Sequence, residues 1–282
     1  MTDPDLGAYD YVVINSSAGK DSQAMLGVVV ELAREKNLPL TKLVVVHADL
    51  GRVEWPGTKE LAEEHAAHYG LRFEVVRHVK GTLIEGVRAR AAAQKAKGKK
   101  APPWFSAAQR WCTAGYKRGP IRTLFTRLVR EFHQRLGQRG KRRQRCRILN
   151  CMGMRAEESC KRAKLEPFEF CEDASNGLRH VDDWLPIHGW STEQVWERIR
   201  AEGTTPHPAY ALGMPRVSCV LCCMAPRSAL MVGGKHNRAL LDEYVALEQE
   251  TGYVFRVGLP LVEIRDALDR GEEPEPVQSW AM

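Results

Sequence analysis

The sequence contains no apolar run that approaches the ~20 residues required by a membrane-spanning helix. Its first residues, MTDPDLGAYDY, are acidic and contain no apolar core, so they do not have the pattern of a secretory signal. These two absences predict a cytoplasmic protein with no contact with a membrane. Cysteines in that compartment are thiols or metal ligands rather than disulfides.

Several common site motifs are also missing. The nine histidines form no metal-binding pattern such as H-E-x-x-H. The loop after the first apolar run has no G-x-G, which excludes the dinucleotide fingerprint. It is not a Walker A loop either, because Lys20 is followed by Asp21 and no glycine stands five residues before Gly19.

The composition is that of a globular protein. The chain has 282 residues, of which 44 % are apolar and 27 % are charged, and its net charge is +7. This length suits one large domain or two small ones.

The positive charge is concentrated in two tracts. Residues 88–100 contain six basic residues and no acidic one, and residues 127–147 contain nine basic residues and one acidic one. Such clusters attract polyanions through counterion release, so nucleic acid (DNA or tRNA) is a candidate partner. A solvated helix face and a flexible loop account for the same tracts equally well.

Strand-like and helix-like segments alternate over the first 155 residues. This alternation predicts a parallel sheet with helices on both faces. Beyond residue 155 the pattern breaks up around prolines, with a short helix and one long helix. The predicted strands are 11–15, 43–47, 72–76 and 147–152, and the predicted helices are 21–36, 56–69, a segment from 82, 118–136, 192–201 and 227–250.

The loop of residues 16–22, SSAGKDS, joins the first strand to the first helix. Small residues let backbone amides approach a ligand closely, and the start of the helix adds unsatisfied N–H groups. Lys20 adds a full positive charge. The loop therefore has the chemistry of a phosphate site, although an ordinary strand–helix turn is the simpler alternative.

This loop also carries a family resemblance. Its SAGKDS resembles the pyrophosphate loop of the adenine nucleotide α-hydrolase (PP-loop) superfamily, usually written S-G-G-x-D-S, with Ala18 in place of the first glycine. Four later segments resemble those of the phosphoadenosine phosphosulfate (PAPS) reductase family, in the same order. They are HADLG at 47–51, RWCT at 110–113 with Lys117 and Pro120, GMRAEES at 153–159 with Arg162, and Pro186-Ile187 with Trp190 and Val195-Trp196.

The resemblance implies a fold and a reaction. The fold would be a Rossmann-like (HUP-type) α/β domain, with a doubly wound, five-stranded parallel sheet, at residues 1–155. A loop-rich and helical part carrying cysteines would follow at 156–282. The ligand would be ATP or a related adenylyl nucleotide, and the reaction would be attack at the α-phosphate with release of pyrophosphate.

It also implies roles for particular residues. Ser17, Gly19 and Ser22 would contact the β- and γ-phosphates, and Lys20 would neutralise them. Asp21 would bind Mg²⁺, which prefers carboxylate and phosphate oxygens. The implied catalytic residues are Lys20, Asp21, Asp49 and Arg155. The implied nucleotide-binding residues are Ser17, Ala18, Gly19, Lys20, Asp21, Ser22, Asp49, Gly153, Arg155 and Arg162.

Two of these roles have simpler alternatives. Asp49 would lie near the ribose or the metal, but a helix cap or a turn explains an aspartate there as well. Arg155 would reach a phosphate, with help from Arg162, but a surface ion pair is an equally good explanation.

Eight cysteines are many for a cytoplasmic chain, and Cys219, Cys222 and Cys223 form C-x-x-C with a third adjacent thiol. In the family, the segment containing Cys112 and the late cysteines converge near the nucleotide. The resemblance therefore implies a [4Fe–4S] cluster on Cys112, Cys219 and Cys222, with Cys223 as the fourth candidate. Zinc and a redox-active dithiol remain alternatives. Cys146, Cys151, Cys160 and Cys171 are left without a role.

Three functions are compatible with these features. An assimilatory PAPS or adenylyl-sulfate reductase is disfavoured, because the sequence has no cysteine after Cys223 to match that type's C-terminal E-C-G-x-H. We favour an ATP pyrophosphatase that activates an acceptor for sulfur incorporation with a sulfur-donor protein. By analogy, DNA phosphorothioation ranks ahead of tRNA thiolation. A non-catalytic, nucleic-acid-binding iron–sulfur protein is the third possibility, which the intact Lys20, Asp21 and Ser22 disfavour.

Overall fold

The computed structural model describes residues 3–138 and 143–278. The chain forms two compact units. The sheet unit comprises Met1–Ala48, Gly57–Val76 and Gly119–His207, and the helical unit comprises Asp49–Pro56, Arg77–Arg118 and Pro208–Met282. The predicted boundary at residue 155 lies within the Gly119–His207 segment of the sheet unit, and each unit draws on both halves of the sequence.

The sheet unit is built on a six-stranded sheet in the order β3-β2-β1-β4-β6-β5. Five strands are parallel, as predicted, and the short β5 adds an antiparallel edge. Sequence reasoning missed β5 and β6, which lie beyond residue 155. The strands are β1 Tyr11–Asn15, β2 Leu43–Ala48, β3 Arg72–Val76, β4 Cys146–Cys151, β5 Phe168–Phe170 and β6 Arg179–Trp184.

The helices of the described residues agree with most predictions to within two residues at each end. They are α1 Lys20–Glu35, α2 Thr58–His68, α3 Leu83–Ala96, α4 Trp111–Thr113, α5 Gly119–Arg135, α6 Thr192–Glu202, α7 Arg227–His236, α8 Arg238–Thr251 and α9 Leu261–Asp269. A π-helical turn, Ala114–Arg118, joins α4 to α5. None of the described helices is long and apolar enough to cross a membrane.

Helices cover both faces of the sheet, as the alternation predicted. Successive side chains of a strand point to opposite faces, and in β1 Val12 and Val13 therefore join different cores. The core containing Val12 includes residues of α1 and α6, such as Met25 and Val195. The core containing Val13 includes Phe125 of α5.

The helical unit has its own core, which includes an aromatic group. Trp104, Tyr244 and Phe255 lie with ring centroids 5.2 to 5.7 Å apart. The single long helix predicted at 227–250 is wrong, since α7 and α8 meet at Asn237, whose φ of −136° and ψ of 58° interrupt the helix. The Asn237 Nδ2 donates a hydrogen bond to the carbonyl of Gly233. Nothing in the apolar spacing signals this break, because both helices share one pattern.

Candidate nucleotide site and thiol cluster

The strand order places a crevice at the carboxyl ends of β1 and β4. In the sheet, β1 lies between β2 on one side and β4 on the other. The chain adds β2 and β3 on the first side of β1 and then crosses to add β4 on the second side, so the strand order reverses at β1. Ligands of open α/β sheets bind at such a switch point. The loop 16–22 follows β1, and Gly153 and Arg155 follow β4, so the structure brings these predicted residues to one edge.

Hydrogen bonds within the loop hold it in a compact turn. The Ser22 Oγ accepts from the amide of Ser17 at 3.1 Å and donates to the carbonyl of Gly19 at 2.9 Å. Ala18 has a φ of +54°, in the left-handed region that favours glycine. This is the position at which the superfamily motif has its first glycine.

The first turn of α1 faces the loop. Gly19 is the N-cap of α1 and has no side chain to accept a hydrogen bond from the N–H groups of that turn. Lys20 is only 5 % exposed, and its Nζ lies 3.4 Å from Asp21 Oδ2. A buried cation and a helix N-terminus at one turn make an electropositive environment for an anion.

Arg155 is buried and is held by protein groups on several sides. Its Nε donates to Asp21 Oδ1 at 2.6 Å, and its Nη1 donates to Glu157 Oε2 at 2.7 Å and to the carbonyl of Trp190 at 3.1 Å. Its Nη2 lies 3.2 Å from Thr192 Oγ1. In this structure the guanidinium therefore positions Asp21, where the sequence predicted a phosphate contact.

Gly153 allows the segment after β4 to pass close to the start of α1. A Cβ at this position would lie 2.8 Å from the carbonyl oxygen of Asp21 and 3.0 Å from the amide nitrogen of Ser22. Both are backbone atoms, which cannot move aside as a side chain can. Arg162 forms an ion pair with Glu158, four residues before it in the same segment after β4.

Sequence reasoning missed a row of polar side chains across the same edge. The Asn15 Nδ2 donates to Asn150 Oδ1 at 2.7 Å, and the Asn150 Nδ2 donates to Asp183 Oδ1 at 2.7 Å. His47, at the end of β2, has its Nδ1 2.9 Å from the carbonyl of Ser16. Polar residues at the ends of apolar strands were the available signal for these contacts.

Asp49 belongs to the helical unit. Its Oδ2 accepts from Arg77 Nε at 2.8 Å and Nη2 at 2.5 Å, and its Oδ1 accepts from the amide of Gly51 at 2.6 Å. The contact with Gly51, two residues later, is that of a turn, which was one of the alternatives for this residue.

The helical unit brings together the four cysteines predicted as ligands. Cys112 lies in α4, and Cys219, Cys222 and Cys223 lie in the segment before α7. Cys223 donates a hydrogen bond to Cys222, which lowers the pKa of the Cys222 thiol to about 6, and Lys117 and Arg216 lower it further. The same hydrogen bond raises the pKa of Cys223, and burial raises that of Cys219 to about 12.

These four thiols have the chemistry of a metal site. Zinc and iron–sulfur clusters both take cysteine thiolates as ligands, so the residues present fit either group.

Comparison with known protein families shows which family this chain belongs to. The model of the phosphoadenosine phosphosulfate reductase domain matches residues 11–225, from the first residue of β1 to just beyond the thiols. The chain belongs to this family. The match includes the loop 16–22, Gly153, Arg155 and all four clustered cysteines.

Individual relatives match smaller parts. An uncharacterized 37.8 kDa protein of Escherichia phage 186 is 40 % identical over 83 residues, which are 29 % of this chain and 24 % of that protein. The adenosine 5′-phosphosulfate reductase of Allochromatium vinosum is 37 % identical over 73 residues, which are 26 % of this chain and 27 % of that enzyme. The chain thus spans about a quarter of each of these two relatives. The crystal structure of the PAPS reductase of Candida auris is 15 % identical, with a TM-score of 0.44, and the match covers 76 % of this chain and 83 % of that one.

Proposed function

We propose that this chain is an ATP pyrophosphatase that activates an acceptor for sulfur incorporation. The observation that carries the proposal is the loop 16–22, with the buried Lys20 and the first turn of α1 at the switch point of the sheet. Membership of the PAPS reductase family supports a reaction of adenylyl nucleotides linked to sulfur.

The loop would act on the leaving group. An oxygen of the acceptor attacks the α-phosphorus of ATP and forms a bond to it. The bond from that phosphorus to the oxygen that bridges to the β-phosphate breaks, and pyrophosphate leaves with the electron pair; an anionic DNA backbone oxygen has no proton to lose in this step. Negative charge develops on the departing pyrophosphate, where Lys20 and the N–H groups of α1 are already oriented to stabilise it. A reduced sulfur from a donor then displaces AMP from the activated acceptor.

A divalent cation would bind through Asp21. The Asp21 carboxylate supplies hard oxygen ligands, and its side chain is 17 % exposed at the turn that faces the loop. Mg²⁺ bound there would neutralise charge on the phosphates. Arg155 fixes the carboxylate through its contact with Oδ1, so that Asp21 is oriented before the nucleotide arrives.

We propose that the thiols hold a [4Fe–4S] cluster rather than zinc. Membership of the PAPS reductase family supports this choice, because the resemblance to that family is what implied the cluster on Cys112, Cys219 and Cys222, with Cys223 as the fourth candidate. The lowered pKa of Cys222 favours a thiolate, which a cluster and zinc both require. A cluster with three cysteine ligands would have one iron free to hold sulfur.

The acceptor we propose is nucleic acid, with a DNA backbone oxygen ahead of a tRNA base. The two basic tracts support a polyanionic acceptor. The second candidate is an adenylyl-sulfate or PAPS reductase, which the 37 % identity to the A. vinosum enzyme favours.

Release of pyrophosphate tests the proposal directly. Anaerobically purified protein is incubated with ATP and Mg²⁺, alone and with duplex DNA, tRNA or adenylyl sulfate. We expect pyrophosphate with a nucleic acid, and AMP once sulfide is added as the sulfur donor. We expect Lys20→Ala and Asp21→Ala to abolish the release of pyrophosphate. Lys36→Ala, which removes the exposed lysine just after the other end of α1, is the matched control and should retain it.

The alternatives give different products. Sulfite and AMP from adenylyl sulfate, in the presence of a thiol reductant, would identify a reductase instead. No pyrophosphate with any acceptor, from protein that still binds nucleic acid, would identify a non-catalytic binder.

A further inference from the structure

The first basic tract, residues 88–100, divides into two parts with different surroundings. Its arginines make contacts inside the helical unit. The Arg88 Nε lies 3.0 Å from Glu250 Oε2, and Arg90 lies over the ring of Trp111, 5.7 Å from its centroid. These two cations stabilise the packing around α3.

The four lysines of the tract are different. Lys95, Lys97, Lys99 and Lys100 are all exposed, and within the described ranges 3–138 and 143–278 none of them forms an ion pair. We call them the lysine segment.

The backbone of the lysine segment is ordered by the end of α3. Gly98, with a φ of +63°, turns the chain after the helix. The amide of Lys99 donates a hydrogen bond to the carbonyl of Gln94 at 2.9 Å, and the amide of Gly98 donates one to the carbonyl of Lys95 at 3.0 Å. This helix-terminating turn gathers four ammonium groups within six residues on a defined backbone.

The second tract, residues 127–147, makes more contacts of its own. Arg127 pairs with Glu74 at 2.9 Å. Arg135 lies over the ring of Tyr11 and Arg147 lies over that of Tyr9, at 5.7 and 5.1 Å from the centroids. Residues 139–142 of this tract lie outside the described residues. Arg127, Arg135 and Arg147 therefore contribute to the packing of the sheet unit.

We propose that the lysine segment is the surface that binds the phosphate backbone of a nucleic acid. Four unpaired ammonium groups next to one another displace condensed counterions when they contact phosphates, and that release drives binding. Such contacts carry no sequence information, so the segment would hold DNA or RNA in place without selecting a site. The inference rests on the proposed function only in identifying the bound nucleic acid with the acceptor.

Salt dependence of binding provides the test. Fluorescence anisotropy with a labelled duplex DNA and with tRNA is measured over a series of KCl concentrations. Each phosphate contact contributes about −0.9 to the slope of log K against log salt on duplex DNA. The variant with Lys95→Gln, Lys97→Gln, Lys99→Gln and Lys100→Gln removes four such contacts, so the magnitude of the slope should fall by up to about 3.6.

A matched control removes the same charge elsewhere. Lys36, Lys80, Lys161 and Lys164 are exposed and dispersed over the chain, and their replacement by glutamine leaves the same net charge as the first variant. We expect this control to keep most of the slope. Equal losses of slope in the two variants would mean that binding depends only on the net charge of the protein. An unchanged slope in the first variant would mean that the nucleic acid binds elsewhere. Either result overturns the proposal.

The binding test and the test of pyrophosphate release can fail independently of each other. Any pyrophosphate release without nucleic acid should be the same in both lysine variants and in the unmodified protein. A protein that binds through the lysine segment but never cleaves ATP would retain this inference and lose the proposed function. A lower affinity for duplex DNA than for tRNA would make RNA the bound species without moving the binding surface.

Discussion

The Nε of Arg155 lies 2.6 Å from the Oδ1 of Asp21, although the two residues are 134 positions apart in the sequence. The contact joins the segment after β4 to the first turn of α1. Arg155 is 2 % exposed, so the ion pair is shielded from water on the arginine side. The carboxylate that follows the loop lysine is therefore held in one orientation by a second part of the chain.

Replacing Arg155 by lysine should weaken both the fold and the reaction. One ammonium cannot contact Asp21, Glu157 and Thr192 together, so polar groups that are now paired lose their partner. We expect the free energy of unfolding to fall by about 3 kcal/mol, measured by urea denaturation. Pyrophosphate release should fall about 100-fold, because a carboxylate that is displaced by about 1 Å no longer positions its ligand.

Arg200→Lys is the control for this variant. The Arg200 Nε donates to the carbonyl of Trp196 at the exposed surface of α6, so little should change. Unimpaired stability and turnover in Arg155→Lys would show that the contact with Asp21 has no positioning role.

Gly153→Ala should separate β4 from α1. The new Cβ would approach backbone atoms of Asp21 and Ser22 to 3.0 Å or less, so the loop must shift. We expect a loss of about 1–3 kcal/mol in the free energy of unfolding and a lower affinity for a non-hydrolysable ATP analogue in calorimetric titration. Gly189→Ala is the matched control, since nothing lies within 4 Å of a Cβ at that position. Equal nucleotide affinity in the two variants would contradict the close approach at Gly153.

Metal analysis should detect about four iron atoms and four sulfides per chain in anaerobically purified protein, which should be brown. Cys112→Ser, Cys219→Ser and Cys222→Ser should each lower the iron content, because each removes a thiolate ligand. Cys160→Ser, at an exposed thiol outside the group, should leave it unchanged. A colourless protein with one zinc per chain would refute the cluster.

The remaining thiols should differ in their reaction with iodoacetamide. Burial raises the pKa of Cys146 to about 12, and burial also raises the pKa of Cys151 well above its ordinary value, so neither is a thiolate near pH 8. Cys160 is exposed and should be alkylated first, as peptide mass spectrometry would show. Addition of urea should make Cys146 and Cys151 reactive. Rapid labelling of Cys146 in the folded protein would mean that β4 opens to solvent.

Local sequence was sufficient for most strands of the sheet. The runs at 11–15 and 72–76 are β1 and β3, and their apolar, β-branched residues explain why. The sequence did not predict the segments whose structure depends on partners that are distant in the chain. The three residues of β5 are all exposed and form a strand only by pairing with β6, which no local pattern reports.

The sequence by itself determined that a loop of small residues with a lysine, an aspartate and serines joins the first strand to the first helix, and it predicts a phosphate site there. It also determined the parallel sheet, through apolar periodicity. Only the tertiary structure decided that Arg155 contacts Asp21 and that the units interleave along the chain. It also decided that Arg88 pairs with Glu250 and that Arg90 lies over Trp111, while the lysines of residues 88–100 form no ion pair with any residue that the structure describes. Periodicity and backbone freedom act over a few neighbouring residues, whereas these contacts depend on which distant segments the strand order brings together.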